Sequence, residues 1–129
     1  MEFTVSPNSP TPLYQQIVDQ IRARILTGEL RGGDPLPSIR QLASDLLASV
    51  ITTKRAYSEL EAEGLIITRA GLGTFVADLD ARTIEAVKSG VVASHLGAAV
   101  RVGRELGLAD EQISRLFAQA LARSEPDER

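Results

Sequence analysis

The sequence predicts a mostly α-helical chain: three helices and a β-hairpin in its first part, then two helices in its second. Three observations carry this. From Tyr14 to Leu60 apolar residues recur every three or four positions in three separate blocks, the period of a helix with one buried face. From Leu65 to Val76 the pattern turns β-branched and apolar around two glycines, as in a hairpin. Beyond Asp80 helical spacing resumes as far as Leu121, broken at Gly107.

Taken in order, Phe3-Thr4-Val5 reads as a short extended segment, and Ser6 to Pro12, with three prolines, as a stiff linker. Pro12 can open the first helix at its first position. Tyr14, Ile17, Val18, Ile21 and Ile25 form its apolar stripe, and Gly28 ends it. Arg22 and Arg24 read as solvated helix charges. Leu30 to Leu36 reads as a loop rich in glycine and proline. Ser38 is placed to cap the second helix, whose buried face is Ile39, Leu42, Ala43 and Leu46. Only Leu47-Ala48 separates it from the third helix, which Ser49 can cap and Gly64 can stop. Thr53, Ala56, Tyr57 and Leu60 line the inner face of that third helix.

Two short helices joined so tightly make a helix-turn-helix, whose second helix is the element that enters DNA. The charge pattern agrees locally. No acid occurs between Leu46 and Ser58, while Glu59, Glu61 and Glu63 crowd the far end. A polyanion is therefore favoured at the N-terminal half, where the helix dipole acts in the same sense. The hairpin is also free of acids from Leu65 to Ala77, which leaves Arg69 unopposed beside Gly71 and Gly73. Glycines there supply the backbone freedom of a tight loop and let N–H groups approach a phosphate.

These residues resemble the winged helix-turn-helix domain of the GntR family of bacterial transcription regulators. The matching pieces are Leu36-Pro37-Ser38-Ile39-Arg40-Gln41-Leu42-Ala43, Glu59-Leu60-Glu61-Ala62-Glu63-Gly64-Leu65 and Gly71-Leu72-Gly73-Thr74-Phe75-Val76. Pro12-Leu13-Tyr14-Gln15-Gln16-Ile17 and Thr27-Gly28-Glu29-Leu30 fit as well. The resemblance runs from about residue 11 to about residue 77. It implies that Arg40 and Lys54 contact DNA, with Ser49, Ile51 and Thr52 at the groove-facing start of the helix. Ser49 is equally a plain cap. Thr52 can bond phosphate or base, and Ile51 can offer a base only its methyl groups. Arg55 can face a phosphate or solvent. Arg69, Gly71 and Gly73 match the wing. Leu72 and Pro35 depart from the family, since many relatives carry Lys or Arg at both places. Val50 stands where some relatives use Arg or a polar residue.

The domain expectation is a winged helix-turn-helix over residues 1–78, a helical dimerisation segment over 79–123 and a disordered tail over 124–129. Asp80 can cap a long helix to about Leu106, and a second helix starts near Ala109 or Asp110. Their apolar positions, Ile84, Val87, Val91, Leu96, Val100, Ile113, Leu116 and Phe117, exceed what one chain can cover. Gly90 and Gly97, with small neighbours, permit close helix approach. A second copy is the natural partner, and twofold symmetry the natural arrangement. A two-helix segment of this length resembles the YtrA-type subfamily, whose members dimerise through it. A small-molecule effector, if there is one, is expected near those helices.

Composition bounds the rest. With 129 residues and 43% apolar content the chain is one domain, or one small domain plus an appendage. It has no Cys and one His, which leaves neither disulfides nor a thiolate metal site, so no cofactor is expected. His95 stands alone mid-helix and reads as an interface or solvent residue. No nucleophile–base set is present, so an enzyme is not expected. Neither a signal peptide nor a membrane span is apparent, and a cytoplasmic location is expected. The net charge of −3 and pI of about 5.2 run against a generic nucleic-acid binder, so binding must rest on local charge. Duplex DNA and a second copy are the expected partners, and repression the expected outcome. The alternative is a winged-helix protein-interaction module without DNA binding.

Overall fold

A computed structural model describes residues 2–124 of the chain. Its elements are α1 (Leu13–Leu26), β1 (Pro35–Leu36), α2 (Ile39–Leu46), α3 (Val50–Ala62), β2 (Ile66–Arg69), β3 (Gly73–Val76), α4 (Ala81–Glu105) and α5 (Asp110–Arg123). The chain divides into two compact units between Glu85 and Ala86.

In the first unit, α1 buries Ile17, Val18, Ile21 and Ile25, chiefly against α3. These positions recur every three to four residues, so one stripe of the helix faces the core. Leu42 and Ala43 from α2, Ala56, Tyr57 and Leu60 from α3, and Leu65, Ile66 and Val76 at the sheet complete that core. Pro12 sits one place outside α1: it is the capping residue, and its carbonyl accepts the Gln16 N–H at 3.0 Å. Helical spacing therefore starts at Leu13 rather than at the proline.

The two arginines of α1 are not simply solvated. Arg22 makes a two-pronged bond to Glu63 just past α3, at 2.9 and 2.7 Å, which raises its pKa. Arg24 stacks on Phe3 at 4.2 Å, bonds the Glu2 carbonyl and lies 3.6 Å from Glu29. With Gln16 and Gln20, Arg24 belongs to a fourfold-spaced row that fastens the N-terminal segment along α1. Gln16 accepts from the Ser6 N–H (2.8 Å) and donates to the carbonyls of Ser6 (2.9 Å) and Thr11 (2.8 Å). Gln20 accepts from the Thr4 N–H (3.1 Å) and donates to the Thr4 carbonyl.

The hairpin gains a third strand. The sheet order is β1-β3-β2, all antiparallel, with Ile66 opposite Val76 and Arg69 opposite Gly73. Pro35 faces Phe75 and Leu36 faces Thr74. The expectation of a featureless loop over residues 30–36 is thus corrected at its end. Pro35 is tolerated because β1 is an edge strand, where a missing N–H breaks no ladder bond to a further neighbour. Gly32 is required by close approach: a Cβ there would sit 2.3 Å from Asp78 Oδ1 and 3.2 Å from the Ala77 carbonyl oxygen. Asp80 caps α4 by accepting the Thr83 N–H at 2.7 Å, which lowers its pKa. Ile84 shares a cleft of about 210 Å³ with Ile25, Leu30, Val76 and Leu79.

The second unit is a helical hairpin. Gly107, with φ +82°, ends the turn after α4, and the Gly103 carbonyl accepts the Leu108 N–H at 2.9 Å. Ala109 precedes α5, where the Gln112 side chain accepts its N–H at 2.9 Å. Arg104 pairs with Asp110 at 3.2 Å across the turn. Gly103 is the contact point. A Cβ on it would lie 2.7 Å from Ile113 Cδ1, so the isoleucine seats directly on helix backbone. Gly90 and Gly97, the glycines that the spacing singled out, meet nothing within 4 Å. Gly103 and Ile113 are the buried residues of α4 and α5. Ser124, extended and exposed, is the last described residue; the expected tail otherwise lies outside the described residues.

Candidate nucleic-acid interface

Local chemistry sets the helix-turn-helix. Ser38 Oγ accepts the Gln41 N–H at 3.0 Å and starts α2. Leu47 then takes φ +55°, ψ +34°, the left-handed region, and turns the chain within three residues. This backbone is costly for a residue with a Cβ, and among the described residues Leu47 is the one non-glycine there. Ser49 Oγ accepts the Thr52 N–H at 3.0 Å and lies 2.8 Å from Thr52 Oγ1. Buried Thr53 returns its hydroxyl to the Ser49 carbonyl at 3.1 Å. Tyr57 donates to the Pro37 carbonyl at 2.6 Å and so pins α3 to the start of α2. Burial pushes the phenol pKa well above its ordinary value, so the hydroxyl stays a donor.

The sequence-predicted site residues divide. Ser49, Ile51 and Lys54 are exposed and Thr52 half-buried on the outer face of the first turns of α3. Arg40 is exposed on α2, and among the described residues no ion pair engages Arg40, Lys54 or Arg69. Arg69 ends β2, followed by a tight turn closed by the Leu72 N–H to the Arg69 carbonyl at 2.9 Å. Gly71 (φ +76°) and Gly73 (φ +122°) make that turn possible. Arg55 is placed differently: its guanidinium stacks on Tyr14 at 3.6 Å and lies 3.6 Å from Glu59. It joins α3 to α1, and Tyr14 is half-buried beneath it rather than sunk in the core.

Sequence reasoning missed Leu47 as more than a linker residue. Its signal was available, since so short a turn between helices needs a left-handed cap and no glycine or asparagine stands there. Of the residues expected at a dimer interface, Ile113 is buried inside its own hairpin, and Ile84, half-buried, lines the cleft of the first unit. Val87, Val91, Val100 and Phe117 are half-buried, and Leu96 and Leu116 are exposed.

Three helices with a three-residue turn (Leu47, Ala48 and Ser49) between the second and third, backed by a hairpin wing, define a winged-helix DNA-binding domain. Comparison with known proteins agrees. Residues 13–76 match the family described as "Bacterial regulatory proteins, gntR family". The chain is 43% identical over 74 residues to the HTH-type transcriptional repressor YtrA of Bacillus subtilis, a stretch covering 57% of each protein. A GntR family transcriptional regulator from Listeria monocytogenes superposes with TM-score 0.67 and 32% identity, over 87% of this chain and 97% of that one. The structure of AraR(DBD) in complex with operator ORX1 superposes with TM-score 0.52 and 28% identity, over 57% of this chain and 94% of that one. The chain belongs to the GntR family of bacterial transcription regulators, with relatives of the YtrA type. Among the described residues no helix is long and apolar enough to cross a membrane.

Proposed function

We propose that the protein is a homodimeric repressor that binds an inverted-repeat operator. The observation that carries this is the outer face of α3: its first turns are exposed and carboxylate-free, and Lys54, with Arg40 on the preceding helix, has no acid partner among the described residues. Each α3 enters one major groove, with half-sites about one helical turn apart. Ser49, Ile51, Thr52, Lys54 and Arg40 meet the groove, and Arg69, Gly71 and Gly73 bring the wing to the backbone. Arg55, held on Tyr14, sets the angle of α3. With a net charge of −3, one domain alone has little electrostatic pull on a polyanion. Two linked copies gain through effective concentration instead.

The dimer forms through the exposed apolar residues of α4 and α5, including Leu96 and Leu116. The repressor reading is supported by the name of the YtrA relative, and the DNA partner by the operator complex of the AraR domain. A small effector would bind near these helices, where open clefts of about 550 Å³ beside Asp110, Ser114 and Arg115 and about 180 Å³ beside Val100, Arg104, Ile113 and Phe117 bracket the roughly 300 Å³ at which small-molecule sites begin.

A gel-shift of the full chain on its own promoter duplex at two salt concentrations tests this reading. Binding that weakens with salt, and weakens further in Lys54→Ala, is expected. An intact dimer with no shift at low salt would replace it with the protein-interaction module. The low pI and exposed Leu72 make that the next reading.

A further inference from the structure

The hydroxyls of Ser49, Thr52 and Thr53 in the first turn of α3 are held in bonds within that turn. Ser49 Oγ accepts the Thr52 N–H at 3.0 Å and donates its own hydrogen to Thr52 Oγ1 at 2.8 Å. Thr53 is buried and bonded back to Ser49. What projects instead is hydrocarbon. Ile51 is 82% exposed and Val50 45% exposed, in a turn with no carboxylate, and Leu47 just ahead of it is 94% exposed. Leu47 holds this position in a left-handed backbone, strain that no burial of its side chain offsets.

In the major groove an apolar side chain finds one matching group, the C5-methyl of thymine; the other edge features are hydrogen-bond donors or acceptors. An isoleucine over guanine would strip water from O6 and N7 and return nothing. We infer that the first turn of α3 reads thymine methyl groups, with Ile51 as the main contact and Val50 beside it. Each half-site then carries thymine, not guanine, under the helix tip. Lys54 and Arg40 flank this tip and supply phosphate or purine contacts, so the specificity is split between a methyl-reading tip and cationic flanks. This rests on the DNA-binding reading above and goes beyond it, because it names the base chemistry that the operator must present.

The test works without a known operator. The full chain selects duplexes from a random pool, and the winners are remade with uracil for thymine, one position at a time. Uracil pairs as thymine does but lacks the methyl. Loss of one buried methyl should weaken binding about fourfold at the position under Ile51. Ile51→Ala, at an exposed site that does not support the fold, should bind the thymine and uracil duplexes equally. Selected sites with guanine at the tip, or uracil duplexes bound as tightly as thymine ones, would overturn the inference while leaving DNA binding intact. Enrichment of no duplex at all would instead overturn the DNA-binding reading on which it stands.

Discussion

The two units of this chain differ in how they use apolar residues. In the first, Ile17, Ile21, Leu42, Leu60 and Leu65 come from α1, α2, α3 and the start of the hairpin and are essentially inaccessible. In the second, the buried residues are Gly103 and Ile113, while Val92, Leu96, Val102, Leu106, Leu116 and Leu121 lie open. The first unit contains its own hydrophobic driving force. The second is ordered as helices but leaves most of its apolar surface in water, and exposed apolar surface on this scale marks an interaction face. The first unit is thus a self-sufficient body, and the second a helical hairpin with surplus exposed hydrophobicity.

The largest expected effect comes from the dense unit. Leu60→Ala should lower stability to urea by about 2–5 kcal/mol, since the side chain is fully buried in the core. A smaller loss would mean that this core is looser than its burial implies. Next comes the hairpin. Gly103→Val would drive side-chain atoms into Ile113, at a cost of about 1–3 kcal/mol to the α4–α5 turn. Sedimentation should then report a weaker dimer, while the thermal transition of the first unit stays in place; a joint shift of both would break the contrast.

Tyr57→Phe removes the donor to the Pro37 carbonyl and should cost about 1 kcal/mol, read from the urea midpoint. No loss would show that the carbonyl finds another donor. Leu47→Gly should stabilise the fold by about 0.5–1 kcal/mol by relieving the left-handed backbone. The thymine-reading tip predicts weaker operator binding by the same variant if Leu47 touches DNA. Asp80 gives the smallest effect. Its carboxyl pKa is depressed by the Thr83 N–H, so its contribution is present above the ordinary carboxylate value and fades as pH falls through the lower folded value. Protection of the Thr83 amide, taken relative to the intrinsic exchange rate, should fall as pH drops below the ordinary carboxylate value, and unchanged protection would remove the cap.

Much of the first unit was legible because its signals are local. The Ser38 and Ser49 caps, the short turn and the Thr53, Ala56, Tyr57, Leu60 face are each decided by residues within one or two turns. What escaped was long-range. Arg22 and Glu63 are 41 positions apart, and nothing in helical spacing distinguishes a cation with such a partner from a solvated one. The strand at Pro35-Leu36 exists because β3 pairs with it, and no pattern of two residues announces that. The stacking of Arg55 on Tyr14 escaped for the same kind of reason. In the second unit the small-residue spacing pointed to Gly90 and Gly97, which have no neighbour within this chain. The close approach inside the hairpin, at Gly103, becomes visible only once Gly107 folds α5 back to deliver Ile113.

The proline in β1 has one further effect. An open sheet margin invites a passing strand to zip onto it, and this margin is only two residues long and begins with an imide that has no hydrogen to give. On that side the winged body cannot grow by borrowing a neighbour's backbone. In the dimer proposed above, association would then fall to the exposed apolar residues of α4 and α5.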